Sequence, residues 1–161
     1  DTEGLSLRWI NRKLTEIQAA TLEEVVMHAL STIEHDGVFI EDTGFFINAL
    51  GGFPGVYSRY VFDTIGNRGI LKLLSGCRER GARFEAVIGY KTGAGRVKLF
   101  KGEVKGYVPN SPRGSNGFGY DPIFIPEGFK KTFGEDMMLK SSVSHRRKAA
   151  ERLIQYLKRN K

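Results

Sequence analysis

Hydrophobic positions recur along the chain with two different periods. Leu22, Val25, Val26, Ala29, Leu30 and Ile33 fall at helical spacing. The preceding Thr21-Leu22-Glu23-Glu24 has the form of a capping box, with Glu24 reaching back to Thr21. This pattern predicts a helix that Gly37 closes. Val38-Phe39-Ile40 is a short unbroken apolar run, the mark of a buried strand. It delivers Glu41-Asp42 at its C-terminal end, the edge at which open α/β sheets bind ligands. A second helix is predicted over 70–74, with Asn67 as its cap and Gly76 as its stop. Phe84, Ala86, Ile88 and Tyr90 alternate as in a strand, Thr92-Gly93-Ala94-Gly95 makes a turn, and 97–100 returns as the hairpin partner. Residues 104–108 and Ile123-Phe124-Ile125 read as further strands, separated by a loop over 109–122 rich in Pro, Gly, Ser and Asn. Ser144 caps a last helix whose apolar face is Ala149, Ala150, Leu153 and Leu157. Helices mixed with strands in this order predict an α/β fold with a mixed sheet. No repeat or linker divides the chain, so residues 1–161 read as one domain.

Composition narrows the class. A chain of 161 residues can bury roughly 70% of its unfolded surface and needs no disulfide or metal to fold. With 40% hydrophobic and 27% charged residues, it is neither a disordered tail nor a collagen-like repeat. Cys77 is the single cysteine, which excludes an intrachain disulfide and fits a reducing compartment. There is no run of 18 apolar residues, so no simple transmembrane helix, and no leader pattern opens the chain. The expected location is cytoplasmic. The net charge is +7, and residues 140–161, with eight Lys/Arg against one acidic residue, hold the whole excess. This segment reads first as a solvated basic helix end and second as a nucleic-acid-binding surface.

Several common sites are absent: no Walker A loop, no G-x-G-x-x-G after a strand, no G-x-S-x-G and no H-E-x-x-H. His28, His35 and His145 match no zinc spacing. Carboxylates and cations remain. Asp42, following a hydrophobic strand, suits a hard oxygen-liganded ion such as Mg²⁺ or the deprotonation of a water; a turn-capping Asp fits the local sequence equally well. In Asn116-Gly117-Phe118-Gly119-Tyr120-Asp121-Pro122 an aromatic lies between glycines that let backbone approach a flat ligand. Stacking on Phe118 is worth about 1–3 kcal/mol, and Asp121 can accept from ring N–H groups, although a loop with a buried Phe is the simpler reading. Ser144-His145-Arg146 opens a helix whose free N–H groups suit acceptors, with Lys140 near by.

Taken together these segments resemble the non-canonical purine nucleoside triphosphate pyrophosphatases, the inosine triphosphate or dITP/XTP pyrophosphatases. The resemblance rests on Phe39-Ile40-Glu41-Asp42-Thr43-Gly44, on Ala49-Leu50-Gly51-Gly52-Phe53-Pro54-Gly55-Val56-Tyr57-Ser58, on Gly117-Phe118-Gly119-Tyr120-Asp121-Pro122, on Ser144-His145-Arg146 and on Glu16-Ile17-Gln18. It runs from about Leu14 to the C-terminus. It implies a two-lobed α/β protein with a long twisted mixed sheet flanked by helices, an active-site cleft between the lobes, and a homodimer. It also implies Mg²⁺-dependent hydrolysis of ITP, dITP and XTP to the monophosphate and pyrophosphate, with Mn²⁺ able to replace Mg²⁺. Carried over by motif, Glu16 and Asp42 hold the metal, and Asp42 is the base for the attacking water. Arg59 faces the phosphates, Phe118 stacks on the base, Asp121, Lys140, His145 and Arg146 line the base pocket, and Thr43, Gly119 and Tyr120 also bind substrate. Glu41, on the opposite side of its strand from Asp42, is expected to matter less.

The resemblance has departures. The family's opening strand carries [ST]-x-N-x-x-K, and nothing like it precedes Leu14. One strand and one helix are therefore expected to be missing before Asp1, with weaker triphosphate binding as the consequence. Gly134 and Ser141 also replace an Ala and an Asn of the family. Two rival readings stand beside the enzyme: a basic nucleic-acid-binding module using residues 140–161, and a catalytically impaired dimeric member of the family.

Overall fold

The computed structural model describes residues 6–12, 14–15 and 17–160. Its first element is helix α1 (Leu22–Ser31), whose N-terminus is capped as the sequence predicts; it ends at Thr32, whose N–H closes on the Ala29 and Leu30 carbonyls, well before the Gly37 expected to close it. The Thr21 hydroxyl accepts from Glu24 N, and the Glu24 carboxylate accepts from Thr21 N. α1 buries Leu22, Val26, Ala29 and Leu30.

Strand β1 (Phe39–Ile47) is three times as long as the apolar run that announces it. A two-residue strand β2 (Pro54–Gly55), helices α2 (Ser58–Thr64) and α3 (Gly66–Leu73), and a long hairpin of β3 (Gly81–Lys91) and β4 (Val97–Tyr107) follow. The last elements are a second two-residue strand, β5 (Ile125–Pro126), and helices α4 (Met137–Val143) and α5 (His145–Arg159). The strands form one sheet in the order β2-β1-β3-β4-β5. Every pairing among the described strands is antiparallel, with no parallel pair of the kind that a mixed sheet adds. The returning hairpin strand and the predicted third strand are one element, because 97–107 stays paired to β3 without a break.

Register sorts the side chains to two faces. Opposite pairs run Glu41 with Ile88, Asp42 with Val87, Thr43 with Ala86 and Phe45 with Phe84. Val87, Ile40 and Phe46 pack with Leu22, Val26 and Leu30 under α1. On the other face Ala86 and Ile88 pack with Ala149 and Leu153 of α5. Further along that face Phe45 and Phe84 join Tyr120, Phe124 and Phe133 in the largest core cluster. β1 is therefore a strand with Asp42 on the α1 face and Glu41, Thr43 and Phe45 on the α5 face. Gly102 of β4 lets α5 approach. A Cβ there would lie 2.0 Å from the His145 carbonyl oxygen and 2.6 Å from Ala149 N.

Candidate functional site

Four segments converge at the N-terminus of α5. The loop 117–121 comes first. Gly117 has φ +77°, and a Cβ on it would lie 2.1 Å from an Asp121 carboxylate oxygen, so only glycine lets the loop close on that carboxylate. The same oxygen, Oδ2, accepts from Phe118 N at 2.8 Å and from Lys140 Nζ at 2.5 Å. Asp121 is 2% exposed and Lys140 9%. The ion pair is thus shielded from water, and hydrogen bonds in that setting are strong. Lys140 is delivered by α4, whose N-cap is Asp136, accepting from Leu139 N at 3.0 Å. With its backbone tied to Asp121, Phe118 stands outward, 63% exposed. Lys140 Nζ lies 4.1 Å and Arg146 Cζ 5.3 Å from its ring centroid. An aromatic ring left in solvent and flanked by two cations is a platform for a flat, electron-rich or anionic ligand.

The second group lies on β1. Arg146 Nε meets Glu41 Oε1 at 3.0 Å and donates to Thr43 Oγ1 at 3.4 Å, while the Thr43 hydroxyl donates to the same Glu41 oxygen. Thr43 and Arg146 are thus brought together across 103 residues of chain, and Phe118, Lys140 and Asp121 join them through the Phe118 ring.

His145 is also at this junction, but inside it. Its imidazole is stacked on Phe84, centroids 4.8 Å apart and planes within 8°. Burial, reinforced by Arg146, Lys140 and Lys148, pushes its pKa down to about 3, so the ring is neutral at physiological pH. Its Nδ1 is buried with no partner among the described residues. Tyr120 is likewise in the core: its ring stacks on Phe45 at 4.9 Å and its hydroxyl donates to Ser58 O at 2.9 Å, with burial raising its pKa. Gly119 has φ +61°, and its carbonyl accepts from Asn67 Nδ2 at 3.1 Å.

Asp42 stands apart from this cluster. It is inside β1, not at a strand end, because β1 continues five residues beyond it. Its side chain is on the α1 face, where Oδ1 accepts from Thr43 N at 2.9 Å. The two faces communicate at an edge. β2 pairs only with Phe45 and Phe46, so among the described residues no strand borders β1 on that side at Glu41, Asp42 and Thr43. Arg59 is on α2, where its Nε pairs with Asp63 Oδ2 at 2.6 Å in a solvent-facing ion pair. Glu16 lies outside the described residues. Among the described residues no group of three or more His, Cys, Asp or Glu side chains is placed to hold a metal.

Sequence reading names Ser58 and Asn67 but misses what they do in building this site. Ser58 accepts from Phe45 N at 2.7 Å and donates to Gly55 O at 2.6 Å, pinning β1 to the β2 loop. Asn67, expected as a helix cap, instead holds Gly119, and α3 begins without a side-chain cap. The basic C-terminal segment is partly consumed by the fold. Lys148 donates to Glu103 O at 2.8 Å, Arg152 donates to Lys101 O, and Arg147 pairs with Glu151 at 2.7 Å. No helix among the described residues is long and apolar enough to cross a membrane.

Comparison with known proteins gives a consistent picture. The model of the Ham1 family matches residues 3–156. A dITP/XTP pyrophosphatase of Methanopyrus kandleri is 48% identical over 161 residues, covering 98% of this chain and 86% of that protein. One from Thermococcus kodakarensis is 47% identical with the same coverage. The solved Ham1 protein of Staphylococcus aureus superposes with a TM-score of 0.85 at 31% identity, over 94% of this chain and 83% of that one.

Proposed function

We propose, from the premise that this chain belongs to the Ham1 family, that it is a nucleoside triphosphate pyrophosphatase. It hydrolyses dITP, XTP and ITP to the monophosphate and pyrophosphate. Family membership and the relatives named dITP/XTP pyrophosphatase support the activity. The observation that carries the site is the convergence of Phe118, Asp121, Lys140, Thr43 and Arg146 at one end of α5.

In this reading the purine stacks on Phe118. A 6-oxo purine presents an acceptor at O6, which suits the donors of Arg146; adenine presents a donor there, and a buried unpaired donor is costly. The triphosphate passes the open edge of β1 toward the α1 face, where Asp42 lies. Asp42 accepts the proton of the water that attacks the anhydride bond. The carboxylate oxygens of Asp42 suit a hard divalent cation. Asp42 together with Glu16 would hold Mg²⁺, or Mn²⁺ in its place, which when bound neutralises charge on the phosphate oxygens. Phosphoryl chemistry needs such positioning and neutralisation more than covalent help. Arg59 adds a cation for the phosphates once released from Asp63. His145 and Tyr120 shape the pocket from beneath. A homodimer belongs to the same reading, and sedimentation tests it.

The direct test is to incubate the chain with ITP and Mg²⁺ and identify the products. IMP and pyrophosphate are expected, with activity lost in EDTA. IDP and orthophosphate as first products would overturn the reading, and activity surviving EDTA would remove the metal roles of Asp42 and Glu16.

A further inference from the structure

We infer that Glu41 is a positioning residue for base selection. It holds the Arg146 guanidinium by Nε and leaves the two terminal nitrogens to read the O6 and N7 acceptors of a 6-oxo purine stacked on Phe118. The inference rests on the nucleotide reading of the site, in which Glu41 has no assigned part.

The geometry is specific. Arg146 Nε is 3.0 Å from Glu41 Oε1 in an ion pair, and its N–H donates to Thr43 Oγ1 at 3.4 Å. The contacts of Arg146 with other described polar side chains thus run through Nε. The terminal nitrogens, with four N–H groups, are the part of the fork that fits paired acceptors. Glu41 is itself held. The Thr43 hydroxyl, two residues on and on the same face, donates to the oxygen that Arg146 approaches. Opposite them in the register are Ile88 and Ala86, whose side chains pack against α5. A carboxylate is a costly choice on that face unless it is paired.

Stability does not account for the pair. The Arg146 side chain is 47% exposed, and pairs open to solvent contribute little to stability. Orientation is what the pair supplies. A guanidinium fork reads O6 and N7 of a 6-oxo purine with both terminal nitrogens, whereas adenine offers N7 beside a donor amine. An Arg146 free to rotate would lose that distinction before it lost affinity for the triphosphate.

The test measures kcat/KM for ITP and ATP, and the dissociation constants of both by calorimetry. Wild type, Glu41→Ala, Glu41→Gln, Arg146→Ala and the double variant Glu41→Ala/Arg146→Ala are compared, with melting temperatures for each. Glu41→Ala is expected to lower the ITP-to-ATP ratio about tenfold in both measurements, mostly through KM. Glu41→Gln, which keeps a polar oxygen of the same reach but removes the charge of the ion pair, should fall between it and wild type. In the Arg146→Ala background the Glu41 substitution should change the ratio no further. An equal loss for ITP and ATP, or an undiminished effect in the Arg146→Ala background, would overturn the inference while leaving the pyrophosphatase reading intact. A wild-type chain with no preference for ITP in either turnover or binding would overturn that reading and this inference with it.

Discussion

At the scale of single residues, the buried Asp121–Lys140 pair and the Asp42 carboxylate make opposite demands. Asp121 is satisfied by a backbone amide and an ammonium, and removing one member of such a pair leaves the other charged and desolvated. Asp121→Asn is expected to destabilise the protein by about 3–5 kcal/mol, read from urea unfolding. It should also release Phe118, so nucleotide affinity falls for every base. Phe118→Ala separates the two effects, because it removes the stacking platform with little change in stability at a position already in solvent. Asp42→Asn should show the reverse pattern: an unchanged urea midpoint and a kcat lower by about 10²–10⁴-fold, the worth of a positioned general base. A variant within threefold of wild type in steady-state kinetics would show Asp42 to be structural.

At the scale of elements, the site depends on how closely α5 can lie on β4. Gly102 is the contact point, and the Cβ of Gly102→Ala would collide with backbone of α5, which cannot move aside as a side-chain tip can. The expected cost is at least about 1–3 kcal/mol, the range for overpacking. Because His145 and Arg146 begin α5, activity toward ITP should fall further than stability alone explains. Melting temperature and kcat/KM measured together check this. Far from the site, Thr21→Ala removes the hydroxyl that caps α1 and should cost about 1 kcal/mol with no change in the ITP-to-ATP ratio.

At the scale of the whole molecule, His145 couples folding to pH. Its folded pKa is pushed down to about 3 by burial, against the ordinary histidine value of 6.5. Between those values the unfolded chain binds a proton that the folded protein refuses, so stability rises with pH across the window and is lost as pH falls from about 6.5 toward 3. Glu135 and Asp136, whose carboxyls are held low by hydrogen bonds from Thr132 and Leu139, lose stability in the same direction, but only as pH passes below the ordinary carboxylate range. The melting temperature should therefore decline from pH 7 to pH 4.5, and His145→Gln should flatten that decline. An identical slope in the variant would show that the ring is not held neutral.

What the sequence by itself determined is what depends on neighbours in the chain. The capping box at Thr21, the alternation of β3, the turn at 92–95, the Ser144 cap and the apolar face of α5 are all local, and all appear as read. Motif order also pointed to the family and to Phe118, Asp121, Lys140 and Arg146 as one group. Tertiary structure decided what local pattern cannot express. β1 runs on through Glu41, Asp42 and Thr43 because β3 supplies partners for polar positions that have no strand signal of their own. α2 and α4 are short and weakly patterned, and they form where Phe45, Tyr120 and Asp121 give them something to pack on or pair with. The same register places Asp42 and Glu41 on opposite faces of one strand. It puts Glu41, by sequence merely the neighbour of a candidate base, in contact with Arg146 from the far end of the chain, because the partner of a side chain on a sheet is set by the helix that crosses it.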